Sequence, residues 1–122
     1  MGKFIVKSTA NGGFVFNLLA ANSQVICTSQ TYKSLASCKA GIESVEKNCN
    51  AEVEDDTAAT VVPVKNPKYE VYKDVSGQFR FRMKASNGEI IGVSEAYTAK
   101  TNCLKGIESV KKNAPDAEIV QA

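Results

Sequence analysis

The chain has 122 residues, 43% hydrophobic and 23% charged, with a formal net charge of +2. This composition is typical of a globular protein, and no apolar run approaches the ~20 residues that a membrane helix needs. So small a positive excess does not by itself indicate nucleic-acid binding. The N-terminus lacks the basic-then-apolar layout of a secretory signal. We therefore expect a cytoplasmic protein that makes no membrane contact.

The sequence contains an internal repeat. Residues 3–48 align without a gap with residues 68–113, and 18 aligned positions are identical. Each repeat alone, at about 50 residues, would be marginal as an independent domain. The sequence therefore predicts one structural unit used twice within one compact, pseudo-symmetric domain. We place the first repeat at residues 1–55, a linker at 56–67 and the second repeat at 68–122.

Each repeat begins with a pattern typical of three strands. Hydrophobic residues alternate with a period of two, and residues that favour turns separate the runs, as at Asn87-Gly88. The predicted strands of the first repeat are residues 4–8, 14–20 and 24–29, and those of the second are 69–73, 79–85 and 89–94.

A helix is predicted next in each repeat, at residues 34–48 and 99–113, because apolar residues recur there at helical spacing. Ser34 and Thr98 are the expected N-caps. A short strand should follow each helix, at residues 51–54 and 117–120.

Both predicted helices contain a glycine, Gly41 in the first and Gly106 in the second. Glycine inside a helix costs ~1 kcal/mol relative to alanine. We expect both glycines to mark close packing of helix on sheet, with Tyr32 and Tyr97 packing nearby.

Two strings of the second repeat carry a family resemblance. Residues 69–89, with Tyr-Glu-Val-Tyr-Lys-Asp and Gly-Gln-Phe-Arg-Phe-Arg, and residues 106–114 resemble the YegP-like family of small uncharacterised bacterial proteins. The first repeat is more divergent, with Val15-Phe16-Asn17 where the pattern has Arg-Phe-Arg. The resemblance implies β-β-β-α-β units that share one sheet and exchange their final strands. It implies no established activity, substrate or cofactor.

Metal binding and catalysis have little support in the residues. The four cysteines show no CxxC spacing and the chain has no histidine, so we predict no metal, no cofactor and no enzyme activity. Buried free thiols are the favoured interpretation; a Cys27–Cys49 disulfide stays open, although a cytosolic setting argues against it. Glu43 with Lys47, and Glu108 with Lys112, have the spacing of helical ion pairs.

The predicted sheet leaves one face open if both helices cover the other. On that face the second repeat presents Tyr72, Arg80, Arg82 and Lys84, a candidate site for an anion or nucleic acid. Cross-strand pairing of these cations with Glu70 is the simpler explanation.

In the first repeat the same face presents Ile5, Val15 and Leu19, a candidate protein contact. The linker around Val62 could equally cover it. We therefore predict an α+β protein with one antiparallel sheet and both helices on one face, a monomer with an internal pseudo-dimer. Its favoured function is a non-enzymatic interaction module with an unknown protein partner. Weak nucleic-acid or anion binding is the alternative, and a small enzyme a distant third.

Overall fold

The computed structural model describes residues 2–122 and confirms an α+β fold built from two similar units. Each unit has three strands, a helix and a fourth strand, as the repeat predicts. The first unit contains β1 (Lys3–Ser8), β2 (Phe14–Leu19), β3 (Val25–Thr28), α1 (Leu35–Asn48) and β4 (Glu52–Asp55). The second contains β5 (Lys68–Lys73), β6 (Phe79–Lys84), β7 (Ile90–Ser94), α2 (Lys100–Asn113) and β8 (Glu118–Gln121).

All eight strands form a single sheet in the order β4-β5-β6-β7-β3-β2-β1-β8. The two units meet at its centre, where β3 and β7 pair antiparallel. The last strand of each unit pairs with the first strand of the other, β4 with β5 and β8 with β1, and both of these pairs are parallel. The sheet is therefore mixed and not antiparallel throughout, because a strand that crosses to the other unit after a helix runs parallel to its new neighbour.

Both helices cover one face of the sheet and enclose one core with residues of both units. Helix α1 packs over β2 and β7, and α2 packs over β6 and β3, so each helix contacts both units. Phe16 and Phe81 are fully buried in the middle of this layer, and burial of a side chain of that size stabilises the fold by roughly 1.5–3 kcal/mol. The core therefore belongs to the pair of units and not to either one.

The helix glycines lie under tyrosine side chains. A Cβ atom at Gly106 would lie 2.6 Å from Tyr97 Oη and 3.0 Å from Phe81 Cε2, and Gly41 faces Tyr32 and Phe16 in the same way. The helices thus approach the sheet closely at these points, as the sequence predicts.

One of the two predicted N-caps is correct. Ser34 caps α1, because its Oγ accepts a hydrogen bond from the Ser37 amide at 3.1 Å. The prediction of Thr98 as the cap of α2 is wrong, since Ala99 holds that position and offers no side-chain acceptor. The helix begins at Lys100, so Thr98 lies one residue before the N-cap position.

Residues 56–67 connect β4 to β5 without forming a helix or a strand. The Val64 amide donates to Glu54 Oε1 at 2.9 Å, which holds this connection beside the edge strand β4. The apolar part of the first unit's open face lies on β1 and β2, near the opposite edge of the sheet. The expectation that the linker around Val62 covers that part is therefore wrong.

Candidate functional site: the open face of the sheet

The sheet face opposite the helices divides into a charged half and an apolar half. On the charged half, strand register places Glu54, Lys68, Glu70, Arg82 and Lys84 side by side; we call these five residues the charged cluster. Tyr72 and Arg80 lie on the same face, beyond Glu70 and Arg82. The structure thus brings together the four residues predicted as a ligand site, but it places carboxylates among them.

Glu70 is the centre of the charged cluster. Its side chain is only 6% exposed and accepts charge-assisted contacts from Arg82 at 2.6 Å, Lys68 at 3.1 Å and Lys84 at 3.2 Å. Burial opposes ionisation of this carboxyl, but the hydrogen bonds from these three cations outweigh it, so the pKa of Glu70 is lowered. A carboxylate held by three cations neutralises much of the positive potential that an anionic ligand would need.

Arg80 and Tyr72 have partners of their own. Arg80 Nε donates to Asp74 Oδ2 at 2.9 Å, and its Nη1 donates to the Ser94 carbonyl at 3.2 Å. The Arg82 guanidinium lies 4.6 Å from the centre of the Tyr72 ring, within the range of a cation–π contact. All three predicted cations are therefore engaged within the protein, and the tyrosine face is partly occupied.

Asp56 adds a third carboxylate beside Glu54 and Glu70, at the edge of the charged cluster. Carboxylate oxygens of Glu54, Asp56 and Glu70 lie within 4.8 Å of one another, and Lys68 Nζ lies 2.8 Å from Glu54 Oε1. The hydrogen bond from Lys68 holds the pKa of Glu54 at about 2, whereas desolvation and the hydrogen bond with Glu54 raise the pKa of Asp56 to about 6. The lysine ammonium thus provides the positive charge that balances these carboxylates.

The apolar half of the open face spans five strands. The predicted contact residues Ile5, Val15 and Leu19 lie together on β1 and β2 and are half-buried. Strand register adds four further aliphatic residues to this surface, and strand alternation within one repeat does not reveal them because their strands come from both units. We call the whole set the apolar face: Ile5, Val15, Leu19, Val25, Ile90, Val93 and Val120.

The polar groups in the middle of the apolar face are hydrogen-bonded to each other, whereas the lysines beside it form no ion pair in the described part of the chain. In its middle, Thr28 Oγ1 donates to Asn17 Oδ1 at 2.8 Å, which joins these two side chains by one hydrogen bond. On β1, Lys3 and Lys7 flank Ile5 on the same face and are exposed. Neither lysine forms an ion pair with any residue in the range 2–122. This half therefore combines aliphatic side chains with one polar pair in its middle and two exposed lysines on β1, of which Lys3 lies across from Glu118 on β8.

Two of the clefts on the helix side of the molecule occupy equivalent places in the two units. The α2 cleft, of about 680 Å³, lies between α2 and the turn that joins β2 to β3. The α1 cleft, of about 390 Å³, lies between α1 and the turn that joins β6 to β7. Each cleft is thus built from the helix of one unit and a turn of the other. The sequence patterns considered above do not predict either cleft. The repeat alignment could have indicated them, because exposed residues that are identical in both repeats line the clefts.

The four cysteines are buried and free, so Cys27 and Cys49 form no disulfide. Burial raises the pKa of the Cys27 thiol to about 12 and that of Cys103 to about 11. Thiols of this kind are poor nucleophiles, because the reactive form is the thiolate. Neither helix of residues 2–122 is long and apolar enough to cross a membrane.

Known proteins resemble this chain over almost its whole length. A domain of unknown function, DUF1508, matches residues 10–55 and again residues 74–121. A UPF0339 protein of Pseudomonas aeruginosa is 40% identical over 115 residues, covering 94% of this chain and 92% of that protein. The chain belongs to the YegP-like family. The function of this family is unknown, and the matches support neither an enzyme activity nor nucleic-acid binding.

The YegP-like family also includes solved structures and shorter proteins. The solution structure of YegP from E. coli, described as a protein of unknown function, superposes with a TM-score of 0.80 at 32% identity, covering 98% of this chain and 91% of that one. A UPF0339 protein of Treponema denticola is 65% identical over 54 residues, which are 44% of this chain and 93% of that protein. The family thus includes proteins as long as two units and proteins about as long as one.

Proposed function

We propose that this chain is a non-enzymatic protein-binding module whose contact surface is the apolar face. The observation that carries the proposal is the contrast between the two halves of the open sheet. The cations of the charged half are neutralised by carboxylates of the chain, whereas the apolar half lies away from the linker, which is held beside β4 at the other edge of the sheet. Contiguous exposed apolar surface rimmed by polar residues is typical of a protein contact.

The charge at the edge of the apolar face indicates the chemistry of the partner. Lys3 and Lys7 lie beside Ile5 and form no ion pair within residues 2–122, although Glu118 lies across from Lys3 in the pairing of β1 with β8. A protein surface with an apolar centre and acidic residues at its margin would complement this arrangement. A second copy of the chain fits less well, because it would bring the same lysines to the interface.

A cytoplasmic location and the absence of catalysis are part of this proposal. Four free buried thiols are compatible with a reducing compartment. Their raised pKa values disfavour a cysteine nucleophile, and the lack of histidine removes the commonest general base. The favoured role is therefore recognition of a macromolecule and not chemistry on a substrate.

The test is a quantitative pull-down from host extract with the wild type and three variants. Leu19→Lys and Lys3→Glu should each lose the partner, the first through burial of a charge and the second through reversed edge charge. Leu104→Lys is the matched control, because Leu104 is 40% exposed on α2, on the other side of the sheet. Circular dichroism spectra of the variants serve to check that each one is folded.

Two results would contradict the proposed surface. Retention of the partner by Leu19→Lys and Lys3→Glu would place the contact elsewhere, and equal loss in Leu104→Lys would show a non-specific effect. If sedimentation reveals a wild-type dimer that Leu19→Lys dissociates, the occupant of the apolar face is a second copy and the acidic partner is wrong.

A further inference from the structure

Most positions that are identical in the two repeats are buried or belong to turns. Only three identical pairs have a side chain that is exposed in both copies: Asn22 and Asn87, Glu43 and Glu108, and Lys47 and Lys112. All six residues line the α1 cleft or the α2 cleft. The exposed residues that both repeats retain therefore converge on one kind of site.

The turn explains the asparagines but not the charged residues. Asn22 Oδ1 accepts a hydrogen bond from the Gln24 amide at 3.1 Å, and Asn87 Oδ1 accepts one from Glu89 at 3.0 Å. By contrast, neither Glu43 with Lys47 nor Glu108 with Lys112 forms the predicted ion pair in the described chain; Lys111 approaches Glu108 instead, at 4.0 Å. Helical pairing therefore engages Glu108 through Lys111, which is replaced by Glu46 in the first repeat, but it does not account for Glu43, Lys47 or Lys112.

Other identical side chains in each cleft are held by hydrogen bonds. Asn113 is 6% exposed, and its Nδ2 donates to the Ser109 carbonyl at 2.9 Å and to Ser109 Oγ at 3.1 Å. Asn48 and Ser44 form the same contacts in the α1 cleft. Both clefts thus present an ordered serine and asparagine beside a glutamate and a lysine.

The charges suggest the class of ligand. On a helix, residues four apart lie about 5–6 Å from each other at Cβ, so each cleft offers a carboxylate and an ammonium group from successive turns of one helix face. Volumes of about 390 and 680 Å³ lie in the range of small-molecule sites. We propose that the two clefts are equivalent binding sites for a small zwitterion of about the size of a dipeptide. Its ammonium group contacts the glutamate and its carboxylate contacts the lysine.

The two sites differ in detail and are independent of the apolar face. The α2 cleft also contains Lys105 and Asp116, whereas Ala40 stands at the position of Lys105 in the α1 cleft. The extra charges predict tighter binding in the α2 cleft. Both clefts lie on the helix side of the sheet, so ligand binding here and protein binding on the apolar face can succeed or fail separately.

The experiment is an amide NMR titration of the full chain with diglycine at low salt. N-acetylglycine and glycinamide serve as matched probes, since each has only one of the two charges. Diglycine should shift the signals of Ser44, Lys47, Ser109 and Lys112, and the singly charged probes should shift them far less. Glu108→Gln should weaken binding in the α2 cleft about tenfold through loss of a charge-assisted hydrogen bond and leave the α1 cleft unchanged. Glu43→Gln should do the reverse.

Glu52→Gln is the control for a change of net charge, because Glu52 is exposed on β4 outside both clefts. Its binding should equal that of the wild type. The proposal is overturned if diglycine causes no shifts in either cleft, if all three probes act alike, or if Glu52→Gln weakens binding as much as Glu108→Gln.

Discussion

Tyr69 Oη donates a hydrogen bond of 2.7 Å to the carbonyl oxygen of Cys49, which links the first strand of the second unit to the end of the helix of the first. Both residues are buried. At the equivalent position of the first unit, Phe4 has no hydroxyl group. The two halves of the molecule are therefore joined by a polar contact at one end of the sheet that the other end lacks.

Tyr69→Phe should destabilise the protein by about 1–3 kcal/mol, because it leaves the buried Cys49 carbonyl without its side-chain donor. Urea unfolding measures the change. The matched control is Tyr72→Phe, since the Tyr72 hydroxyl has no hydrogen bond to residues 2–122 and its side chain lies on the open face. Equal stability of Tyr69→Phe and the wild type would show that the bond contributes nothing to the junction.

Gly106→Ala should also destabilise, although alanine is the better helix former. A gain of about 1 kcal/mol in helix propensity is outweighed by overpacking against Tyr97 and Phe81, which typically costs 1–3 kcal/mol. The double variant Gly106→Ala, Tyr97→Phe should recover part of the loss, because the closest atom is the tyrosine oxygen. Thr101→Ala, exposed on the same helix, is the control and should be neutral or slightly stabilising. A stabilised Gly106→Ala would refute close packing as the reason for the glycine.

The carboxyl groups of Glu54 and Asp56 should titrate far apart, near pH 2 and pH 6. Because the folded pKa of Asp56 lies above its unfolded value, its protonated form stabilises the fold at low pH, and this contribution is lost as the pH rises through about 6. Asp56→Asn should therefore gain stability relative to the wild type at pH 8 but not at pH 4. Asp56 is exposed, so the gain should stay below about 1 kcal/mol. Carbon-detected NMR of the side-chain carboxyls checks both midpoints. A midpoint near 4 for Asp56 would contradict its close contact with Glu54 and Glu70.

Strand exchange predicts that the isolated second unit, residues 68–122, dimerises. Alone, β5 loses its partner β4 and β8 loses its partner β1, but two copies can restore both parallel pairs. Sedimentation equilibrium should show a dimer that unfolds as it dissociates. A folded monomer would exclude the shared sheet as a requirement for folding.

The sequence predicts the elements far better than the contacts between units. Strand alternation and helical spacing are local, so the repeat reveals every helix and strand, and alternation places Arg82 on the same face of the sheet as Glu70. It does not reveal that β4 brings Glu54 beside Lys68, because that pairing depends on the exchanged strand. The clefts were missed for the same reason, since each needs a helix and a turn from different units.

The balance of the charged cluster leads to a test of the anion-binding alternative. Glu70 contacts Lys68, Arg82 and Lys84 at once, so a single-stranded oligonucleotide at low salt should leave the amide signals of Arg80, Arg82 and Lys84 unchanged in the wild type. Glu70→Gln removes the shared carboxylate and should create weak binding that disappears as salt increases. Glu95→Gln makes the same change of net charge at an exposed residue outside the charged cluster and should not bind. Shifts of the three cations already in the wild type would favour nucleic-acid binding and contradict neutralisation of this face by Glu70.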